Sequence, residues 1–298
     1  MKQVLILSIF FCATIAYSQD FEGIKKINGA NLFLSVKGKG ETLVVLHGGP
    51  GLNHRYFTPH LKALEKKFRV VYYDQRASGK SASPSPDSIS IKFFVEDLEA
   101  IRKELKLERL NLLAHSWGAV LATQYAMAYP KRVNKIIYSN PSMLSREYDQ
   151  EAAAITKKKT TKEDSVTRAQ LFSSGNLDVA KYDQLMHLSF NASAYDRNNM
   201  TKINLDLPAN FIEANKALFT GLMKDQAAQK ANLYDSLKTF SFPVLIIHGE
   251  ADIIPMASLE RMKNNLPNSQ LVILSKSGHF PFVEETEKYV EVVTTFLK

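Results

Sequence analysis

Three side chains in this sequence have the types that a nucleophilic hydrolysis needs: Ser116 to attack, His279 to take its proton and Asp252 to hold the imidazole. Serine is a poor nucleophile at neutral pH, so it requires both a positioned base and a group that orients that base. Ser116 lies in A-H-S-W-G, residues 114–118, where the apolar run 110–113 stops and a helical pattern of Ala119, Val120, Ala122 and Ala126 begins. A serine on such a strand-to-helix turn stands clear of the backbone, and the small residues Ala114 and Gly118 let strand and helix approach. The N–H of Trp117 then sits at the helix N-terminus, where a negative oxygen forms when Ser116 attacks a carbonyl. On the pentapeptide alone, a serine that merely caps an ordinary turn is the alternative.

The other members of the constellation follow by position. A second oxyanion donor, the N–H of Gly49, is offered by H-G-G-P-G at 47–51, which ends a buried strand. Seven histidines are available as base. His115 adjoins Ser116, so its side chain points elsewhere; His47 and His248 close strands within glycine turns and suit supporting roles; His54, His60 and His187 lie in no motif. His279 follows Gly278 on a loop after a strand and is free to reach the top of a sheet. Asp252 follows the strand before that one, with Glu250 as the alternative acid. Asp74, which ends another strand beside Arg76, is expected to form a structural ion pair.

The elements that must position these residues alternate. The run at 43–46 is continuously apolar, as a strand buried on both faces should be, and apolar-rich runs at 69–73, 110–113, 133–138 and 243–247 read as further strands, with 32–36 and 271–274 beside them. Helical periodicity intervenes, as in Phe94, Leu98, Ile101 and Leu105, and a last helix buries Tyr289, Val293 and Phe296. Residues 141–235 are polar, lack a buried strand and suit short helices. The expectation is an α/β protein: a mostly parallel central sheet with helices on both faces, built from residues 19–140 and 236–298, with a helical cap inserted at 141–235.

Composition narrows the rest. Residues 1–18 join Lys2 to an apolar run from Val4 to Ala16 and end in small residues, which predicts a signal peptide and export to a periplasm or the medium. That run is shorter than the ~20 residues of a spanning helix. The one cysteine, Cys12, lies within it, so the mature chain has no disulfide, thiolate metal site or cysteine nucleophile. The net charge of +8 is scattered, and its one dense run, KKKTTK at 157–162, lacks interleaved aromatics; a solvated face is expected rather than nucleic-acid binding.

H-G-G-P-G, D-Q-R at 74–76 with a following G-x-S, H-S-W-G, G-x-x-D at 249–252 and G-H at 278–279 occur in this order across the whole mature chain. Together they resemble the proline iminopeptidases of the α/β-hydrolase superfamily. The resemblance implies an α/β-hydrolase fold, Ser116 as nucleophile, His279 as base and then acid, Asp252 as its orienter, Gly49 and Trp117 as oxyanion donors, and an acyl-enzyme with no metal or other cofactor. It also implies release of an N-terminal residue, preferably proline, from a small peptide. Three positions depart from the pattern: Ala114 and Ala77 stand where glycine is usual, and Ile253 stands where some members carry an acidic residue for the substrate amine. Glu213, in F-I-E-A-N, resembles a family segment with such a carboxylate and is assigned to substrate binding on that basis; a solvated helix residue is the alternative. The same machinery acting on an ester or lactone, and a noncatalytic binding protein of the same fold, are the other readings.

Overall fold

The computed structural model describes residues 20–81, 85–225 and 232–298, so the expected signal segment lies outside the described residues. Eight strands form one sheet in the order β1-β2-β4-β3-β5-β6-β7-β8. These are β1 (Phe21–Ile27), β2 (Ala30–Lys37), β3 (Thr42–Leu46), β4 (Arg69–Tyr73), β5 (Leu110–Ser116), β6 (Val133–Pro141), β7 (Val244–Gly249) and β8 (Ser269–Leu274). Strand β2 is antiparallel to both its neighbours, and β4 through β8 are parallel throughout.

The period of two along each strand sorts the core into two layers. Val44, Leu46, Leu112 and Ile136 face one side, with Phe94, Leu98, Tyr125 and Met262 from the helices α2 (Ile91–Glu104), α3 (Gly118–Ala128) and α8 (Met256–Asn265). Leu43, Val45, Leu113 and Ile137 face the other, with Leu64 of α1 (Lys62–Glu65), Phe282 of α9 (Pro281–Glu284), and Tyr289 and Val293 of α10 (Thr286–Leu297). In α10 the deepest position near the end is Leu297, and Phe296 is half-buried.

Two strands differ from their sequence outlines. β1 was not expected, because F-E-G-I-K-K-I buries only its last residue fully. It is fixed by pairing with β2 across a two-residue Asn28-Gly29 turn, both residues at positive φ, which the right-handed twist of a hairpin favours. β6 runs to Pro141 rather than ending at Tyr138, and this carries Asn140 to the top of the sheet.

Between β6 and β7 lie α4 (Asp149–Lys159), α5 (Lys162–Ser173), α6 (Val179–Ser193) and α7 (Phe211–Lys224). The KKKTTK run ends one helix and starts the next. Thr161 and Asp164 form a reciprocal capping box for α5, and Lys159, half-buried, donates to the Ala251 carbonyl. Asp178 caps α6 by accepting from the Lys181 N–H, and the C-terminal half of that helix lies over the ends of the parallel strands.

Candidate active site

Ser116 closes β5 with φ 53°, a left-handed conformation that costs a non-glycine residue about 1–2 kcal/mol. The turn is held by close approach on both sides. A Cβ on Gly118 would stand 2.5 Å from the Leu46 carbonyl oxygen, and one on Gly48 would stand 2.8 Å from Cβ of Ser116. Ala114 is an ordinary strand residue, aligned with Leu46 of β3 and Tyr138 of β6, so a glycine there is unnecessary. Ala77 does occupy a glycine-favouring conformation, φ 54°, and carries that strain.

His279 and Asp252 meet as the sequence suggested: Nδ1 of His279 is 2.8 Å from Oδ2 of Asp252. Three further groups among the described residues donate to this buried carboxylate. Asn140 Nδ2 donates to Oδ2 at 2.7 Å, and the N–H groups of Ile253 and Ile254 donate to Oδ1 at 2.6 and 3.3 Å. Burial pushes the Asp252 carboxyl up; the His279 imidazole outweighs this by charge and hydrogen bond, His248 and Asn140 add to it, and the group is held at about 2. Glu250 makes no contact with His279 among the described residues. Asn140 was missed in the sequence. Its signal was an Asn at the end of a buried strand, where its side chain tolerates φ 43°.

The H-G-G-P-G loop is fixed from behind by His47. The Gln75 N–H donates to Nε2 of His47 at 3.0 Å, so the ring proton is on Nδ1, which donates to the Gly48 carbonyl at 2.9 Å. That carbonyl shares a peptide plane with the Gly49 N–H, which therefore points the opposite way. Among the described residues neither the Gly49 nor the Trp117 N–H has a protein acceptor. The Trp117 ring packs edge-on against Phe94, 5.3 Å between centroids.

Gly49, Ser116 and His279 line one cavity of about 190 Å³, with Leu52, Met186, Phe190, Ile253 and Phe280 as its apolar wall and the hydroxyls of Ser189 and Ser193 at its edge. The hydrogen bond of Ser116 Oγ here goes to Ser142 Oγ, at 3.5 Å, rather than to His279. α6 is tied to the base directly, since the His279 N–H donates to the Ser193 carbonyl at 2.8 Å. Glu284 strengthens the tie by accepting from the N–H groups of Gly278, Tyr195 and Asp196 at 2.6, 2.9 and 2.9 Å. Glu213 is not brought to this cavity. It is exposed in the first turn of α7, where an acidic side chain complements the helix N-terminus.

Asp74 stays out of the constellation, but its partner is not Arg76. It accepts from the N–H and Nδ1 of His54 and from the Lys80 N–H, while Arg76 forms a buried two-pronged pair with Asp97 of α2. His54 is therefore a buried hydrogen-bond partner of Asp74, which no local motif signalled.

The chain matches a family model described as alpha/beta hydrolase fold over residues 41–286. It is 31% identical over 269 residues to a proline iminopeptidase of Lactobacillus delbrueckii subsp. bulgaricus, covering 86% of this chain and 89% of that protein. Among solved structures it is similar to a proline iminopeptidase of Mycobacterium smegmatis, with TM-score 0.69, 20% identity, and 93% of this chain and 97% of that chain covered. It is also similar to an esterase of Exiguobacterium antarcticum, with TM-score 0.65, 20% identity, and 93% and 99% covered. At 20% identity these two likenesses speak for the fold.

Proposed function

This chain belongs to the α/β-hydrolase fold family and resembles the proline iminopeptidases, and from that premise we propose that it is a serine hydrolase that releases N-terminal residues, preferably proline, from small peptides. The observation that carries the proposal is the 2.8 Å pair of His279 and Asp252 beside a strained serine that lines the same cavity. Asp252 holds Nδ1–H, which leaves Nε2 of His279 as the acceptor. Entry of a substrate carbonyl turns Ser116 Oγ from Ser142 toward that nitrogen. His279 takes the proton as Oγ attacks, and the N–H groups of Gly49 and Trp117 stabilise the oxyanion. His279 then protonates the leaving amine, and water, deprotonated by the same nitrogen, hydrolyses the acyl-enzyme. The cavity of about 190 Å³ is small and apolar enough for a pyrrolidine ring, and residues 141–235, read as a cap, supply its roof through α6. Export is part of the same proposal and rests on the sequence of residues 1–18 alone.

One observation favours a second reading, hydrolysis of a small ester or lactone: no Asp or Glu is among the described residues lining the cavity, which leaves the hydroxyls of Ser189 and Ser193 to meet a free amine. Initial rates on proline β-naphthylamide, its N-acetylated form and p-nitrophenyl acetate, for the mature protein and Ser116→Ala, decide between them. Turnover of the free-amine amide, lost in the variant, upholds the aminopeptidase. Ester turnover alone overturns it in favour of the second reading, and silence on all three overturns the serine hydrolase.

A further inference from the structure

The oxyanion loop follows β3 and the base loop follows β8, and β5, β6 and β7 separate those strands in the sheet. Their reacting groups must nevertheless keep a common register. No short stretch of backbone connects them, but a chain of hydrogen bonds does. The Gly48 N–H donates to Oη of Tyr56 at 2.6 Å; Oη of Tyr56 is 2.8 Å from Nδ1 of His115; and Nε2 of His115 is 2.8 Å from the backbone carbonyl of His279.

The two ends of this chain assign every proton in it. An amide N–H only donates and a carbonyl only accepts, so Nε2 of His115 carries the ring proton. Nδ1 is then the acceptor, and the Tyr56 hydroxyl gives it its proton while accepting from Gly48. The direction is single, from Gly48 through Tyr56 and His115 to His279. Burial, and secondly the neighbouring His279, hold His115 down at about 3, so the ring stays neutral and the direction does not reverse at neutral pH. Both side chains are buried, and aromatic neighbours clamp them: Phe57, Phe280 and Phe282 pack around both rings.

We propose that Tyr56 and His115 are positioning residues, which lock the oxyanion loop and the base loop into one register through this directed chain beside Ser116. The proposal rests on the serine-hydrolase reading above. Each loop is also held by its own contacts, the Gly48 carbonyl by His47, and the His279 N–H and ring by Ser193 and Asp252. The Tyr56–His115 link is what joins one set to the other. Loosening it displaces Nε2 of His279 relative to the oxyanion donors, which slows the chemical step without changing the apolar wall that binds substrate.

The test uses the mature protein, with Tyr56→Phe, His115→Phe and His115→Gln, on whichever of the three substrates above the wild type turns over. Displacements of this kind cost up to about 100-fold in rate. Tyr56→Phe and His115→Phe are expected to lower kcat 10- to 100-fold with KM within about twofold. His115→Gln, whose amide both accepts and donates along the same line, is expected to recover most of the loss. Long-range nitrogen–proton NMR of the wild type is expected to show His115 neutral with its proton on Nε2 from pH 8 to pH 5. An Nδ1–H or doubly protonated His115, or a Tyr56→Phe enzyme of correct fold with unchanged kcat, overturns the inference while the hydrolase stands. A wild type as inert as Ser116→Ala overturns the hydrolase reading and the positioning role with it. If His115→Phe fails to fold, Tyr56→Phe and His115→Gln with the NMR measurement still decide.

Discussion

Replacing Asn140 by glycine tests the acid of the site without touching it. Asn140 holds a left-handed backbone conformation that glycine adopts without strain, so Asn140→Gly removes only the side chain and its two donated hydrogen bonds, to Asp252 Oδ2 at 2.7 Å and to the Gly278 carbonyl at 2.9 Å. A hydrogen bond to a buried charged group is worth about 1.5–3 kcal/mol. Against this, the buried Oδ1 of Asn140 has no partner, and its removal returns part of that sum. The expected net loss at pH 7 is about 1–2 kcal/mol, or about 2–8 °C in Tm for a domain of this size. If the same energy is lost from the orientation of His279, kcat falls about 5- to 30-fold. The pH dependence gives the sharper check. A carboxyl that titrates near 3.8 when unfolded and at about 2 when folded contributes about 2.5 kcal/mol at neutral pH. That contribution is present above about pH 4 and disappears as pH falls through about 2. Losing a donor raises the folded value, so the deficit of Asn140→Gly should be full at pH 7 and narrower at pH 3. Urea unfolding of both proteins at the two pH values measures it. An equal deficit at both, or none at pH 7, would refute a role for Asn140 in stabilising the Asp252 carboxylate.

Other changes probe the frame around the site. Glu284→Gln presents an amide where three N–H groups require acceptors, and is expected to free the chain after α6; limited proteolysis should cut faster near residues 195–210, with KM raised severalfold. Gly48→Ala places a methyl 2.8 Å from Cβ of Ser116 and is expected to cost about 1–3 kcal/mol in unfolding experiments and most of the hydrolytic rate. Arg76→Met leaves the Asp97 carboxylate buried without its cation, and a loss of about 3–5 kcal/mol in denaturant stability is expected, with the remaining folded protein active.

What the sequence made legible is what is local. A continuous apolar run, a sharp turn and a helical repeat lie within nineteen consecutive residues around Ser116, and each inner strand announces itself by burial on both faces. What it hid is held by partners distant in the chain. Tyr56 and His115 are 59 positions apart and Asn140 and Asp252 are 112 apart, and none of these pairings has a periodicity to betray it. Proximity in sequence also misled: Asp74 and Arg76 carry opposite charges two residues apart, yet each finds better geometry elsewhere, the one with two donors of His54 and the other with a fork onto Asp97. β1 escaped for a further reason. It is an edge strand whose alternating exposure gives it a weak apolar signal, and its place is set by the Asn28-Gly29 turn and the register with β2.

Among the described residues two buried Asp side chains hydrogen-bond a histidine, and their difference locates the chemistry. His54, 2.7 Å from Asp74, borders a larger cavity of about 410 Å³, yet the described residues of its wall include no serine on a strand-to-helix turn and no glycine. Asp74 is occupied with the loop backbone, through the N–H groups of His54 and Lys80, and His54 is stacked on Phe33 at 5.0 Å. The first pair therefore ties a loop down, whereas the second aims a base. Asp74→Asn should lower stability by about 3 kcal/mol and kcat by less than tenfold, because the buried Asp74 carboxylate loses its charge while Ser116, His279 and Asp252 are untouched. Asp252→Asn should do the reverse, lowering kcat by about a thousandfold or more, since an amide facing four donors no longer holds the Nδ1–H tautomer of His279. Parallel thermal unfolding and rate measurements on the two variants separate the roles. An Asp74→Asn enzyme with unchanged Tm and a kcat as low as that of Asp252→Asn would move the catalytic dyad to the other pair.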